Sequence, residues 1–264
     1  MKIALAGHSG FVGSILLEIL SPVHEVVTFG RNNANHYFDL RMDFSNLIID
    51  DTFDAVIHAA HDFKNGTLTE SIESNALGSL EFLKKSKMSG VRKFIYISSQ
   101  SAHHDSKSNY GITKYITEQS LAKNSEVIIA RLGYVYDQKG NHNLRPLGFK
   151  ILGATVFPIP YAPRQRYFPT SIGEIANGLD FLLNNDVESC VTSIIGADTN
   201  LKGAIARADP RTPKVFLYFP PRLAIRLAGI MNSIIGSSRI GRHLDSLRSL
   251  LVTPSQRAIR WQEL

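Results

Sequence analysis

At 264 residues the chain has room for one compact unit with a sizeable core. Its one cysteine, Cys190, excludes an internal disulfide framework and fits a reducing compartment. The formal net charge of +6 and a pI near 9.4 suit an anionic small molecule, an anionic membrane surface or nucleic acid; no helix-turn-helix, finger or aromatic RNA-binding signature accompanies the charge, which argues against the last.

In chain order, residues 2–6 form a short apolar strand that runs into GHSGFVG, and 14–20 carry helical apolar spacing up to Ser21-Pro22. The apolar start breaks into glycines too soon for a signal h-region, and no uncharged apolar run of about 18 residues follows, so a cytoplasmic protein without a spanning helix is expected. A second strand is predicted at 24–29, ending at Gly30-Arg31, and a third at 54–58, running into Ala59-Ala60; Asp39-Leu40 lies in the polar loop between them. A helix over 67–87 leads to Gly90, then a strand at 93–98, a helix at 110–123 and a strand at 126–131. From 141 to 166 the pattern loosens into Pro, Gly and Arg, after which 170–184 reads as a helix and 191–196 as a strand. The alternation predicts an α/β fold, a Rossmann-type doubly wound parallel sheet with a small interleaved C-terminal substrate-binding region.

In such sheets ligands bind beyond the carboxyl ends of the strands, where the glycine loop, Arg31, His58, Ser99 and Arg131 all fall. Gly7 permits a tight turn, Gly10 lets the backbone approach a pyrophosphate, Gly13 lets helix and strand pack, and the helix N-terminus attracts the anion. His8, Phe11 and Val12 complete this candidate dinucleotide loop, and His58, Ala59 and Ala60 border it, His58 by packing rather than chemistry. Where NAD binders commonly carry Asp or Glu after the second strand, Arg31 stands, which favours a 2′-phosphate and hence NADP over NAD.

Tyr110 and Lys114, four apart in a helix, share one face. The Lys114 ammonium can favour ionised Tyr110; a base working at neutral pH needs roughly three units of depression from ~10, on the order of 4 kcal/mol. Ser99, at the end of the preceding strand, would donate a hydrogen bond to a substrate oxygen, with Ser98 and Ser101 as alternatives. His103-His104-Asp105 is read as a solvated loop and no metal is expected, since adjacent side chains rarely converge on one ion.

GHSGFVG, DAVIHAA, Asn75, FIYISSQSA, YGITK, ARLGYVY and FPTSIGEIA, in this order over roughly residues 1–200, resemble the extended or atypical short-chain dehydrogenase/reductases, specifically the NAD-dependent epimerase/dehydratase family that acts on nucleotide sugars. The resemblance implies Tyr110 as acid/base, Lys114 as its ribose-binding and pKa-lowering partner, Ser99 as oxyanion donor, Asn75 as a tie between the middle helix and neighbouring backbone, and Asp39-Leu40 on the adenine side. It implies one unit over 1–264, with 1–140 mainly dinucleotide-binding and 141–264 mainly substrate-binding, and a homodimer. Gln100-Ser101 stands where the family's 4,6-dehydratases carry an acidic pair, which disfavours dehydration. The implied activity is hydride transfer at a sugar carbon, usually C4, by a reductase or epimerase of surface-polysaccharide or lipid-linked sugar biosynthesis.

The basic excess lies towards the C-terminus, at Arg207, Arg211, Lys214, Arg222, Arg226, Arg239, Arg242, Arg248, Arg257 and Arg260. Some of these, with Arg145, Arg164 or Arg166, would clamp a nucleotide diphosphate. Residues 220–236 are amphipathic; packing on the sheet or over the substrate is favoured over peripheral contact with an anionic membrane. Two further readings stay open: an NADP-binding regulatory or assembly protein on this fold, and a reductase of a non-sugar carbonyl.

Overall fold

Strand β1 (Lys2–Ala6) is buried along nearly its whole length, as a strand must be when helices cover both faces of its sheet. It is followed by α1 (Phe11–Leu20), β2 (Glu25–Gly30), β3 (His36–Tyr37), β4 (Ala55–His58), α2 (Leu68–Ile72), a π-helical turn (Glu73–Leu77), α3 (Gly78–Met88), β5 (Lys93–Ser99), α4 (Asn109–Leu121) and β6 (Val127–Leu132). Then come β7 (Tyr134–Tyr136), β8 (Phe149–Ile151), β9 (Ala154–Pro160), β10 (Pro169–Ser171), α5 (Ile172–Asn184), β11 (Cys190–Ile194), α6 (Leu201–Ala208), β12 (Lys214–Phe219) and β13 (Ile259–Arg260). The structure is a computed structural model and describes residues 1–50, 52–63, 67–136, 149–151, 154–160, 165–210, 213–220 and 259–264.

Among the described residues eight strands form one sheet in the order β13-β11-β6-β5-β4-β1-β2-β3, with every pairing parallel. Alternate residues of each strand serve two cores. Ile3, Leu5, Ile57, Ile95 and Ile128 pack with Ile15 and Leu16 of α1 and Leu179 and Leu182 of α5. Ala4, Val56, Phe94, Tyr96 and Ile129 pack with Phe82 and Leu83 of α3 and Leu121 of α4. Chain order reverses between β1 and β4, so a crevice opens above their carboxyl ends, the place where such sheets take ligands.

The helix expected over 67–87 is one path broken by the π-helical turn. That turn buries Asn75, whose Oδ1 accepts from the Asp62 backbone N–H at 2.8 Å and whose Nδ2 donates to the Ser71 carbonyl at 2.8 Å. Thr170 belongs to β10, not to the helix expected over 170–184; α5 starts at Ile172 behind a capping box of Ser171 and Glu174. Thr170 Oγ1 accepts from Gly133 N at 3.0 Å and donates to the Ile194 carbonyl at 3.2 Å, tying the β7–β10 pair to β11. A second sheet, β12-β9-β8, closes on α6 through Phe157, Ile159, Leu201, Ala204 and Ile205. The β7–β10 and β9–β12 pairings join segments distant in sequence, which is why the pattern beyond residue 132 is irregular. The amphipathic stretch 220–236 lies outside the described residues apart from Pro220.

Candidate active site

The turn after β1 is built by close contacts. Gly7 has φ +87° and donates its N–H to the Phe29 carbonyl at 3.0 Å; a Cβ there would stand 2.5 Å from Ala60 N. A Cβ on Gly13 would overlap the Gly7 carbonyl oxygen, so only glycine lets α1 start this close to β1. Gly10 is exposed and accepts only the Ser14 N–H, at 2.8 Å, while α1 carries neither a side-chain cap nor an acidic residue in its first turn. The N–H groups that open a helix need acceptors from outside it, and the exposed, uncapped start of α1 suits an anion. Phe11 is exposed, Val12 packs on the core, and buried His8 lies under Gly30 with an Nδ1 that has no partner among the described residues. Ala59 and Ala60 border the loop, Ala59 through its N–H on the Ala6 carbonyl at 2.9 Å.

Arg31 lies exposed beyond β2, with Nη1 3.9 Å from Asp39 Oδ2. Asp39 also accepts from the Arg41 N–H at 2.9 Å, and Leu40 is buried against Gly78. The residue expected to meet a 2′-phosphate thus already faces the carboxylate expected on the adenine side.

Ser99 closes β5, and Tyr110 stands near the start of α4 with its phenol within the influence of the Ser99 hydroxyl. Burial pushes the Tyr110 phenol up to about 12, with the Ser99 hydroxyl pulling it down and Glu118 raising it. Lys114 is 3% exposed, donates from Nζ to the Ile97 carbonyl at 2.8 Å and lies 4.4 Å from the Tyr96 ring centroid. Burial lowers it to about 7, against an upward pull from Glu118. The expected depression of Tyr110 by Lys114 is therefore absent in this state: the ammonium is directed to Ile97 and Tyr96, and desolvation governs both groups.

His58 is corrected. It is fully buried, its Nε2 lies 2.9 Å from Ser79 Oγ, and its ring is packed by Phe38, Phe82, Phe94 and Tyr96. Burial, then Lys114, lowers it to about 3. It is a neutral core residue at the sheet end. The alternative Ser98 is likewise enclosed, with its hydroxyl buried and without a partner among the described residues, whereas the Ser101 N–H donates to Ser99 Oγ at 3.2 Å. Arg131 faces inward in a bidentate pair with Glu118, at 2.9 and 2.5 Å.

Of the basic residues, Arg166 lies 3.5 Å from Asp198, Arg207 donates to the Ala197 carbonyl at 2.8 Å, and Lys214 pairs with Asp209. Arg260 sits at the end of β13; Arg145, Arg164, Arg211, Arg222, Arg226, Arg239, Arg242, Arg248 and Arg257 lie outside the described residues. Among the described residues no His, Cys, Asp or Glu cluster is placed to hold a metal ion, and no helix is long and apolar enough to cross a membrane.

One feature escaped the sequence. His61 and Phe63, just beyond β4, both rest on Tyr110, with ring centroids 5.0 and 5.7 Å away. The available signal was two aromatic residues at alternate positions after a strand end.

The model of the NAD-dependent epimerase/dehydratase family matches residues 3–139, just over half of the chain. No curated protein sequence matches it. Among solved structures, a short-chain dehydrogenase/reductase superfamily protein from Agrobacterium tumefaciens with bound NAD is similar at 15% identity and TM-score 0.64, covering 94% of this chain and 97% of that one. UDP-glucose 4-epimerase from Thermotoga maritima, with UDP-glucose, is similar at 20% identity and TM-score 0.61 over 83% of this chain and 86% of that one. The terminal R domain of the myxalamid PKS-NRPS pathway reaches TM-score 0.67 at 15% identity, over 99% of this chain and 83% of that domain.

Proposed function

The chain belongs to the NAD-dependent epimerase/dehydratase family, and from that premise we propose that it is a nicotinamide-dependent reductase or epimerase of a nucleotide-activated sugar, acting at C4 in surface-polysaccharide or lipid-linked sugar synthesis. The observation that carries the reading is the placement of Ser99 at the end of β5, and of Tyr110 and buried Lys114 together in α4, at the same sheet end as the glycine turn. That turn fits a dinucleotide: the backbone is exposed at Gly10, α1 has no side-chain cap, and no carboxylate stands in its first turn. Gly7, Gly10 and Gly13 with the start of α1 would hold the pyrophosphate, and Asp39 and Leu40 the adenine side. Arg31 supports a preference for NADP over NAD.

A bound nicotinamide supplies or takes the hydride at the sugar carbon. Tyr110 gives a proton to the sugar oxygen, or takes one from it, at its hydroxyl, and Ser99 holds that oxygen in line by hydrogen bonding. A phenol pushed up to about 12 is protonated at neutral pH, the form needed to reduce a keto sugar. Lys114, once moved from the Ile97 carbonyl towards ribose hydroxyls, would favour the phenolate needed in the opposite direction.

The test incubates the protein and Tyr110→Phe with NADP or NADPH, or NAD or NADH, and a panel of UDP- and dTDP-sugars including 4-keto forms, followed by mass and NMR. A tyrosine-dependent gain of two hydrogens marks a reductase; unchanged mass with new stereochemistry marks an epimerase. No turnover on the panel despite cofactor binding overturns the sugar assignment. A second reading, a reductase of a non-sugar carbonyl, is favoured by the similarity over nearly the whole chain to an R domain from a PKS-NRPS pathway, and predicts turnover of neutral ketones or aldehydes instead.

A further inference from the structure

The tripeptide His61-Asp62-Phe63 sends its middle side chain one way and its flanking rings the other, as alternate residues of a strand-like segment do. Asp62 is 6% exposed and paired with Arg41. Its backbone is held from both sides by Asn75, which accepts from the Asp62 N–H at 2.8 Å and donates to the Asp62 carbonyl at 3.2 Å. The two rings converge on Tyr110: His61 meets it edge-on at 5.0 Å and 77°, Phe63 stacks on it at 5.7 Å and 14°, and His61 and Phe63 meet at 4.4 Å. Phe63 remains 58% exposed on its outer side, so its inner contact with Tyr110 is not a consequence of core packing.

We propose that His61 and Phe63, anchored through Asp62, form an aromatic clamp that positions the Tyr110 hydroxyl against Ser99, acting through Tyr110 and not on substrate. This rests on the proposed role of Tyr110. A phenol ring turns about two side-chain torsions; a ring stacked on one face and another meeting it at a steep angle restrict both, which holds the hydroxyl where Ser99 and a substrate oxygen can share it. His61 suits the place because burial, with Lys114 and His58 adding to it, holds its pKa well below 6.5, so the clamp adds no charge beside the phenol. Its buried Nδ1 has no partner among the described residues.

The test uses protein carrying ζ-13C tyrosine, with the Tyr110 resonance assigned by its loss in Tyr110→Phe. In Phe63→Leu and His61→Leu the Tyr110 resonance should shift and broaden, and in His61→Phe, which keeps a ring, it should stay close to that of the original protein. On a turned-over substrate the two Leu variants should lose about 10- to 100-fold in kcat, the range for a misplaced catalytic group, with KM unchanged. A sharp, unshifted Tyr110 resonance in both Leu variants overturns the clamp, as does a rise in KM with kcat intact, which would make the rings substrate contacts. Should His61→Leu fail to fold, Phe63→Leu decides, since that side chain is largely exposed. The resonance needs no substrate, so an inactive panel would remove the proposed function while the clamp is still decided.

Discussion

Replacing Lys114 by Met should remove a specific component of the pH dependence of stability. Burial lowers the Lys114 ammonium from 10.5 to about 7, whereas in the unfolded chain it keeps its proton up to its ordinary value. Between these two values the unfolded state binds more protons than the folded one, so stability due to this group rises with pH; its penalty is complete below about 7 and gone above 10.5. One proton corresponds to about 1.36 kcal/mol per pH unit. Allowing for partial titration near pH 7, the gain from pH 7 to pH 9 is about 2 kcal/mol. Methionine keeps much of the stem but does not titrate, so the stability difference, original protein minus Lys114→Met, should rise by that amount. Loss of the bond to the Ile97 carbonyl lowers the variant by a pH-independent amount and cancels in this comparison. His58 and His61, both lowered by burial, titrate below the window, and Tyr110, raised by burial, titrates above it. The assay is equilibrium urea unfolding at pH 7, 8 and 9 without cofactor. A pH-independent difference, or one that falls as pH rises, would refute the claim that Lys114 is held desolvated in the folded chain.

Gly13→Ala should destabilise the protein by about 1–3 kcal/mol, the cost of forcing a methyl group into a packed contact, because the new Cβ overlaps the Gly7 carbonyl; urea unfolding checks this, and a fluorescence titration with NADPH should show weakened binding. Glu118→Gln should cost about 3–5 kcal/mol, since it leaves the largely buried Arg131 guanidinium without its bidentate carboxylate. Urea unfolding near pH 7 measures that loss, and a change below 1 kcal/mol would mean that the pair is hydrated rather than enclosed.

Much of the scaffold was legible because it depends on local period and spacing. Apolar runs too short for helices, set between glycine turns and amphipathic stretches, specify buried parallel strands, and β1, β4, β5 and β6 follow that pattern. The break at Glu73–Leu77 was not legible, because a π-helical turn there depends on Asn75 finding Asp62, which lies outside the helix. The small strands β7, β8, β10 and β13 are too short for period to show, and β7, β10 and β13 are held by pairing partners far along the chain.

By itself the sequence determined the doubly wound sheet, the glycine turn at its first carboxyl end, and the presence of Tyr110 and Lys114 in one helix, all set by spacing along a single segment. Only the tertiary structure decided the environment of each charged or polar group. It enclosed His58 among four aromatic rings, set Arg31 facing Asp39, directed Lys114 to the Ile97 carbonyl and brought His61 and Phe63 onto Tyr110. The physical reason is that desolvation and ring contacts are set by which distant segments meet, and that information lies in the packing of the two cores.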